Sequence, residues 1–197
     1  MALRRMIIDG YGQLELNQVA FPRDGRIEAQ CKLHENEFAL DREQNTDKVY
    51  AENGMLLAVN NIARRIQFAK NDVFPVALNY TTEHMYDERD GFSIRNFYLP
   101  RGTFLPRMGY LSAQDKFTTN CICYDDGEWA DDEALMEALD GIKDAPIYGG
   151  VSEIGAIKLS ATRPTFGPVL MVTKKTTMPD GQPAVKLHCI GMAGIAD

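Results

Sequence analysis

The chain has 197 residues, 45% of them hydrophobic and 25% charged, with a formal net charge of −7 and a pI near 5.0. That length holds one domain whose core is large enough to need neither disulfides nor a structural metal, and the composition excludes global disorder. The acidic balance excludes the broad cationic surface that phosphate-backbone binding requires, since the densest basic stretches, Arg4–Arg5, Arg64–Arg65 and Lys174–Lys175, are only doublets.

Residues 1–12 read as a possible N-terminal arm of a single β-rich domain spanning 1–197. The opening Met1–Asp9 has basic residues and then three apolar ones. A secretory core needs about 7–15, so the segment is expected to be mature protein used in a cytoplasm. No apolar run approaches the ~20 residues of a membrane helix; the longest are strand-sized, such as Met55–Val59.

Leu14–Phe21 alternates polar and apolar residues for most of its length, Pro22-Arg23-Asp24-Gly25 follows, and Arg26–Leu33 alternates again. This pattern predicts a hairpin with Ile27, Ala29, Cys31 and Leu33 on its buried face. Residues 34–47 are polar and irregular and read as a long loop. Val49–Val59 is strand-like with a turn at Asn53-Gly54. Ile62–Phe68, Phe74–Tyr80, Ile94–Leu99, Thr103–Leu111 and Phe117–Tyr124 carry β-branched and aromatic residues at strand density. Pro75, Pro100 and Pro106 are expected at strand starts, edges or bulges.

One helix is predicted over residues 131–140. Asp131 is the N-cap candidate, acids fill the first turn, Leu135 and Leu139 lie four apart, and Gly141 fits the position after the last turn. Trp129 just ahead is a candidate packing staple. Val169–Thr173 and Ala184–Ile190 then flank Met178-Pro179-Asp180-Gly181, a second hairpin with a longer loop. Asp-Gly recurs at residues 9–10, 24–25, 90–91, 126–127, 140–141 and 180–181, a repeated turn signal. Together these predict a mainly β fold (β-dominated α+β): an antiparallel barrel or sandwich of short strands with one short helix near 131–140.

The search for chemistry yields few candidates. Nucleophile-elbow, phosphate-loop, zinc-protease and dinucleotide motifs are absent from the sequence. Gly10-Tyr11-Gly12 reads as a turn between strands. Cys121 and Cys123, two apart, share one strand face and read as small buried hydrophobes. With His188 or Cys189 they have the right ligand types for zinc, without paired spacings. Cys121 or Cys123 with His84 or His188 is the only enzyme-like pairing, with nothing marking a reactive thiol. No catalytic residue, metal or cofactor is therefore expected.

Two segments stand out as contact candidates. The run containing Asp125, Asp126, Glu128, Asp131 and Asp132 reads as a solvated turn and helix start, with a calcium site or an acidic contact patch as alternatives. Tyr80–Phe92 mixes aromatics with charge. Tyr80, Met85, Tyr86, Arg89 and Phe92, with Arg4 and Arg5, form the candidate interface.

Glu52–Val59, Pro75–Tyr80, Phe104–Leu111 and Asp115–Asn120 form a string of strand–turn modules. In style, residues 50–124 resemble the small β-rich decoration or cement proteins that tailed bacteriophages place on their heads. The resemblance implies a non-enzymatic virion protein, assembled in the host cytoplasm, that binds and braces a capsid lattice. Its partners would be the major capsid protein and copies of itself, met through β edges and the N-terminal arm and strengthened by multivalency. A tail or connector component, or another β-rich binding module, is the alternative reading.

Overall fold

The computed structural model describes residues 2–43, 46–70, 73–81, 93–102 and 104–194. In chain order the strands are β1 Leu3–Arg5, β2 Leu14–Gln18, β3 Ile27–Glu28, β4 Lys32–Leu33, β5 Leu56–Asn60, β6 Arg65–Phe68 and β7 Val76–Asn79. After a 3-10 turn at Ile94–Asn96 come β8 Met108–Gly109, β9 Lys116–Thr119 and β10 Ile122–Asp125. Helix α1 (Asp132–Asp140) precedes β11 Tyr148–Gly150, β12 Ile157–Ser160, β13 Gly167–Thr177 and β14 Pro183–Ala193. The protein is mainly β, with two sheets packed as a sandwich-like fold.

The first sheet has eight strands in the order β1-β10-β12-β11-β13-β14-β9-β2. Its spine is the predicted C-terminal hairpin, in which β13 and β14 pair from Gly167↔Ala193 to Thr177↔Pro183 with two register shifts. Only Asn120 and Cys121 separate β9 from β10, yet β14 pairs with β9 while β12 pairs with β10. The ladder from β10 through β12, β11, β13 and β14 therefore returns to β9, closing a ring through that two-residue link. Strands β2 and β1 occupy the remaining sides of β9 and β10.

The second sheet has six strands in the order β3-β8-β7-β5-β6-β4. Its β5 reads Leu-Leu-Ala-Val-Asn and is buried on both faces. Leu56 and Ala58 join a core shared with Phe117, Ile122, Leu170 and Leu187 of the first sheet, while Leu57 and Val59 join a second core with Phe38, Met55 and Leu99. Strand β10 is likewise split, with Ile122 and Tyr124 in the first core and Cys123 in the second. The expected sharing of a face by Cys121 and Cys123 is met: both lie in the second core.

Several expectations are corrected. The turn at residues 22–25 forms, but its flanking strands do not pair with each other. β2 pairs with β9, β3 with β8 and β4 with β6, so the two arms enter different sheets. Of the four residues expected on the buried face, Cys31 and Leu33 are buried, but Ile27 is 45% exposed and Ala29 is exposed. The strand expected over Ile94–Leu99 is a 3-10 turn with a single bridge at Leu99, and of the described residues in Thr103–Leu111 only Met108–Gly109 is strand. Two pairings, β10–β12 and β4–β6, are parallel, so the sheets are mixed and not purely antiparallel. The loop at 34–47 stays irregular where described, but Phe38 inside it is fully buried and bridges Val49.

Helix α1 matches its prediction closely. Asp131 caps it by accepting the Ala134 N–H at 2.8 Å, and Leu135 and Leu139 are buried. Gly141 closes it at φ −91, outside the left-handed conformation expected there. Trp129 packs edge-on against Tyr124 at 6.2 Å. Residues of the expected N-terminal arm are folded in: β1 is laddered to β10 and Met6 is buried.

Candidate functional site

Of the expected interface residues, Arg4, Arg5 and Tyr80 lie among the described residues, each in separate surroundings. Met85, Tyr86, Arg89 and Phe92 lie outside the described residues, as does His84. Alternation along β1 sends Arg4 and Arg5 apart. Arg4 donates to the Ala130 carbonyl at 2.5 Å, whereas Arg5 reaches the segment before β5 and forms a two-pronged ion pair with Glu52, one arm at 2.6 Å. Tyr80 is half-buried with its ring 4.9 Å from Phe21, and burial pushes its phenol pKa up.

The acidic residues near the helix are each engaged within the molecule. Asp125 pairs with Lys158 at 2.5 Å, and Asp126 accepts the Ala2 N–H at 2.9 Å. Glu128 accepts the Ala161 N–H at 2.5 Å. Asp131 is the helix cap. Asp132 accepts the Tyr124 hydroxyl at 2.5 Å and the Ile7 N–H at 2.9 Å. These carboxylates tie the N-terminal strand, the turn and the helix together.

A different cluster forms from three segments far apart in the chain. Tyr50 and Tyr98 have ring centroids 4.4 Å apart with planes at 37°, Tyr11 lies 4.9 Å from Tyr98, and Tyr11 meets Tyr50 edge-on at 6.2 Å. The Ala51↔Leu99 bridge brings the flanking tyrosines together, and the Tyr11 N–H donating to the Arg95 carbonyl at 2.7 Å brings in the third. All three are half-buried. Tyr98 donates its hydroxyl to Asp41 at 2.9 Å, and that bond, followed by burial, holds its pKa up. Burial, then Tyr50 and Glu52, do the same for Tyr11. Val49, next to Tyr50, and Leu40, next to Asp41, are 42% and 44% exposed.

This cluster stands on a buried polar clamp. Glu52, 6% exposed, accepts both Arg5 prongs and the Gly12 N–H at 2.5 Å. Gly12 is packed so closely that an added Cβ would stand 2.7 Å from the Asn53 carbonyl oxygen and 2.8 Å from Cys121 Cβ. Tyr11 and Tyr50 are thus held from both sides of one ion pair. Aromatic side chains fixed in this way present large amphipathic area while losing little rotamer entropy on contact, which is the character of interface hot spots. Sequence reading missed the cluster because no local pattern links positions 11, 50 and 98. The Gly10-Tyr11-Gly12 turn was the only trace.

The cysteines have the opposite character. Cys31, Cys121, Cys123 and Cys189 are free and buried. Burial pushes the Cys121 thiol far up despite nearby Arg5, and pushes Cys123 up to about 12. A thiol so held is a poor nucleophile. Cys189 packs in the first core and Cys121 and Cys123 in the second, so the zinc set weighed from the sequence is not assembled. Among the described residues, no group of three or more His, Cys, Asp or Glu side chains is placed to hold a metal ion. No helix among them is long and apolar enough to cross a membrane.

Comparisons with protein-family models, curated proteins and solved structures find no match for this chain.

Proposed function

We propose that this protein works without catalysis, by contacting other proteins, and that it braces a bacteriophage head lattice in the manner of the decoration proteins it resembles. Its partners in this reading are the major capsid protein and further copies of itself. The observation that carries the reading is the tyrosine cluster of Tyr11, Tyr50 and Tyr98, packed ring to ring and half-exposed. The sealed, protonated thiols add support by removing the residues on which a Cys–His enzyme would depend.

A lattice role needs only modest affinity at each copy, because many copies act together. The test is co-sedimentation of the purified protein with phage heads on a density gradient. Wild-type protein travels with heads, and Tyr50→Ala or Tyr98→Ala weakens retention about tenfold or more, the effect of losing one hot-spot side chain. Recovery only with tails, or with no particle, overturns the lattice reading.

A further inference from the structure

Where β11 ends and β12 leaves the first sheet, the following loop folds back and encloses a groove. Gly150 permits this closure: an added Cβ would lie 2.5 Å from Pro164 Cγ. The groove is open on one side and has a volume of about 250 Å³, and Val151, Lys158, Thr162, Arg163, Thr165 and Phe166 are among its lining residues. A second cavity of about 390 Å³ adjoins it and shares Val151, Lys158 and Phe166.

The charge of the first cavity runs against that of the protein. The chain carries 28 acidic and 21 basic residues, yet among the described residues two cations and no carboxylate line this space. The two cations are not equivalent. Lys158 is held by Asp125 at 2.5 Å, on the side of the adjoining cavity. Arg163 is exposed and makes no hydrogen bond or ion pair with any described residue. The hydroxyls of Thr162 and Thr165 are likewise uncommitted, while that of Ser160 is turned to Glu128 at 3.3 Å. Val151 and Phe166 supply the apolar wall.

We propose that this cavity binds a small organic anion, with a carboxylate or phosphate meeting Arg163 and an apolar ring lying against Val151 and Phe166. Guanidinium forms the strongest of the charge-assisted hydrogen bonds to such groups, and the two threonine hydroxyls extend the donor set. The volume sits just below the usual range for drug-sized ligands, which fits an occupant of about one ring within the groove.

The test is a titration of ¹⁵N-labelled protein with phenyl phosphate and with benzoate, followed by amide shifts, with phenol and inorganic phosphate as the separate halves. The expected result is saturable shifts confined to residues 150–151 and 158–166. One of the two ring anions then binds at least tenfold more tightly than phenol or phosphate, and the tighter one identifies the anionic group. Arg163→Ala weakens that binding tenfold or more with an unchanged spectrum elsewhere, while Arg42→Ala, an exposed arginine outside the cavity, leaves it unaltered. Shifts that fail to saturate or that scatter over the surface overturn the proposal, as does equal binding by Arg163→Ala. None of these outcomes depends on phage heads, so the result stands apart from the lattice reading.

Discussion

The two sheets solve the same burial problem in different ways. The first is organised by a hairpin of two eleven-residue strands that are neighbours in the chain. The second uses strands of two to five residues, and apart from β5–β6 its pairings join distant segments. Strands this short supply few ladder hydrogen bonds, so side chains complete the work. Asn79 donates to the Glu52 carbonyl at 2.8 Å, its own carbonyl accepts the Gly54 N–H at 2.9 Å, and Glu52 clamps Arg5 and Gly12. The first sheet is held mainly by backbone and apolar packing, the second by apolar packing on both faces plus a buried polar seam.

Removing the seam is the strongest way to test that contrast. Glu52→Ala leaves the part-buried Arg5 guanidinium and the buried Gly12 N–H without their acceptor, and is expected to cost about 3 kcal/mol in urea unfolding. A loss below about 1 kcal/mol would place the seam on the same footing as a surface ion pair.

Two glycines with nearly the same backbone sharpen it further. Gly54, beside the seam, has φ +87, and Gly181, in the β13–β14 loop, has φ +86. Alanine at Gly181 meets nothing within 4 Å, so only the left-handed strain of about 1–2 kcal/mol applies. Alanine at Gly54 would meet Thr119 Oγ1 at 2.4 Å and Cys121 Cβ at 3.0 Å. It should cost about 3 kcal/mol, strain and overpacking together. Equal midpoints for the two variants would show that the seam yields freely.

The thiols in the second core give a pH test. Unfolded cysteines ionise around their ordinary value of 9.0, whereas the native pKa values of Cys121 and Cys123 are raised. The native state therefore binds more protons above that pH. The associated stability is complete below pH 9 and falls as pH rises, by about 1.4 kcal/mol per pH unit for each thiol. For Cys123 the fall ends near about 12. Cys121→Ala and Cys123→Ala should each flatten the alkaline limb of urea midpoints measured from pH 8 to 10.5.

The smallest effect is expected at the acidic turn. Asp125 and Lys158 are 22% and 33% exposed at their side chains, and Asp125→Asn should cost under about 1 kcal/mol. A larger loss would mean that the turn is as deeply committed as the seam.

The same contrast explains what could be read from the sequence. Helix α1 and the C-terminal hairpin were legible because cap, periodicity and turn chemistry are local, and Asp131, Leu135 and the Asp180-Gly181 turn carry them. The N-terminal hairpin was misread for an instructive reason. Its turn and alternation are real, but β2 pairs with β9 and β3 with β8, and long-range pairing overrode the local pattern. The tyrosine cluster was not legible, since a bridge between Ala51 and Leu99 leaves no mark in either segment. Arg5 was expected at an interface, whereas its acid partner Glu52 stands 47 residues away in the segment before β5.

The ring through Asn120 and Cys121 also orders events in time. Leu3 pairs with Asp125 and Leu14 with Thr119, so β1 and β2 leave a ribosome more than a hundred residues before their partners. At ordinary synthesis rates that wait is on the order of ten seconds. During it β1 and β2 are unpaired edges, and the ring itself cannot close until β14 has emerged. Until β14 emerges the nascent sheet thus lacks its final topology, and contacts made by those waiting strands, with chaperone or with one another, decide how much of it arrives folded.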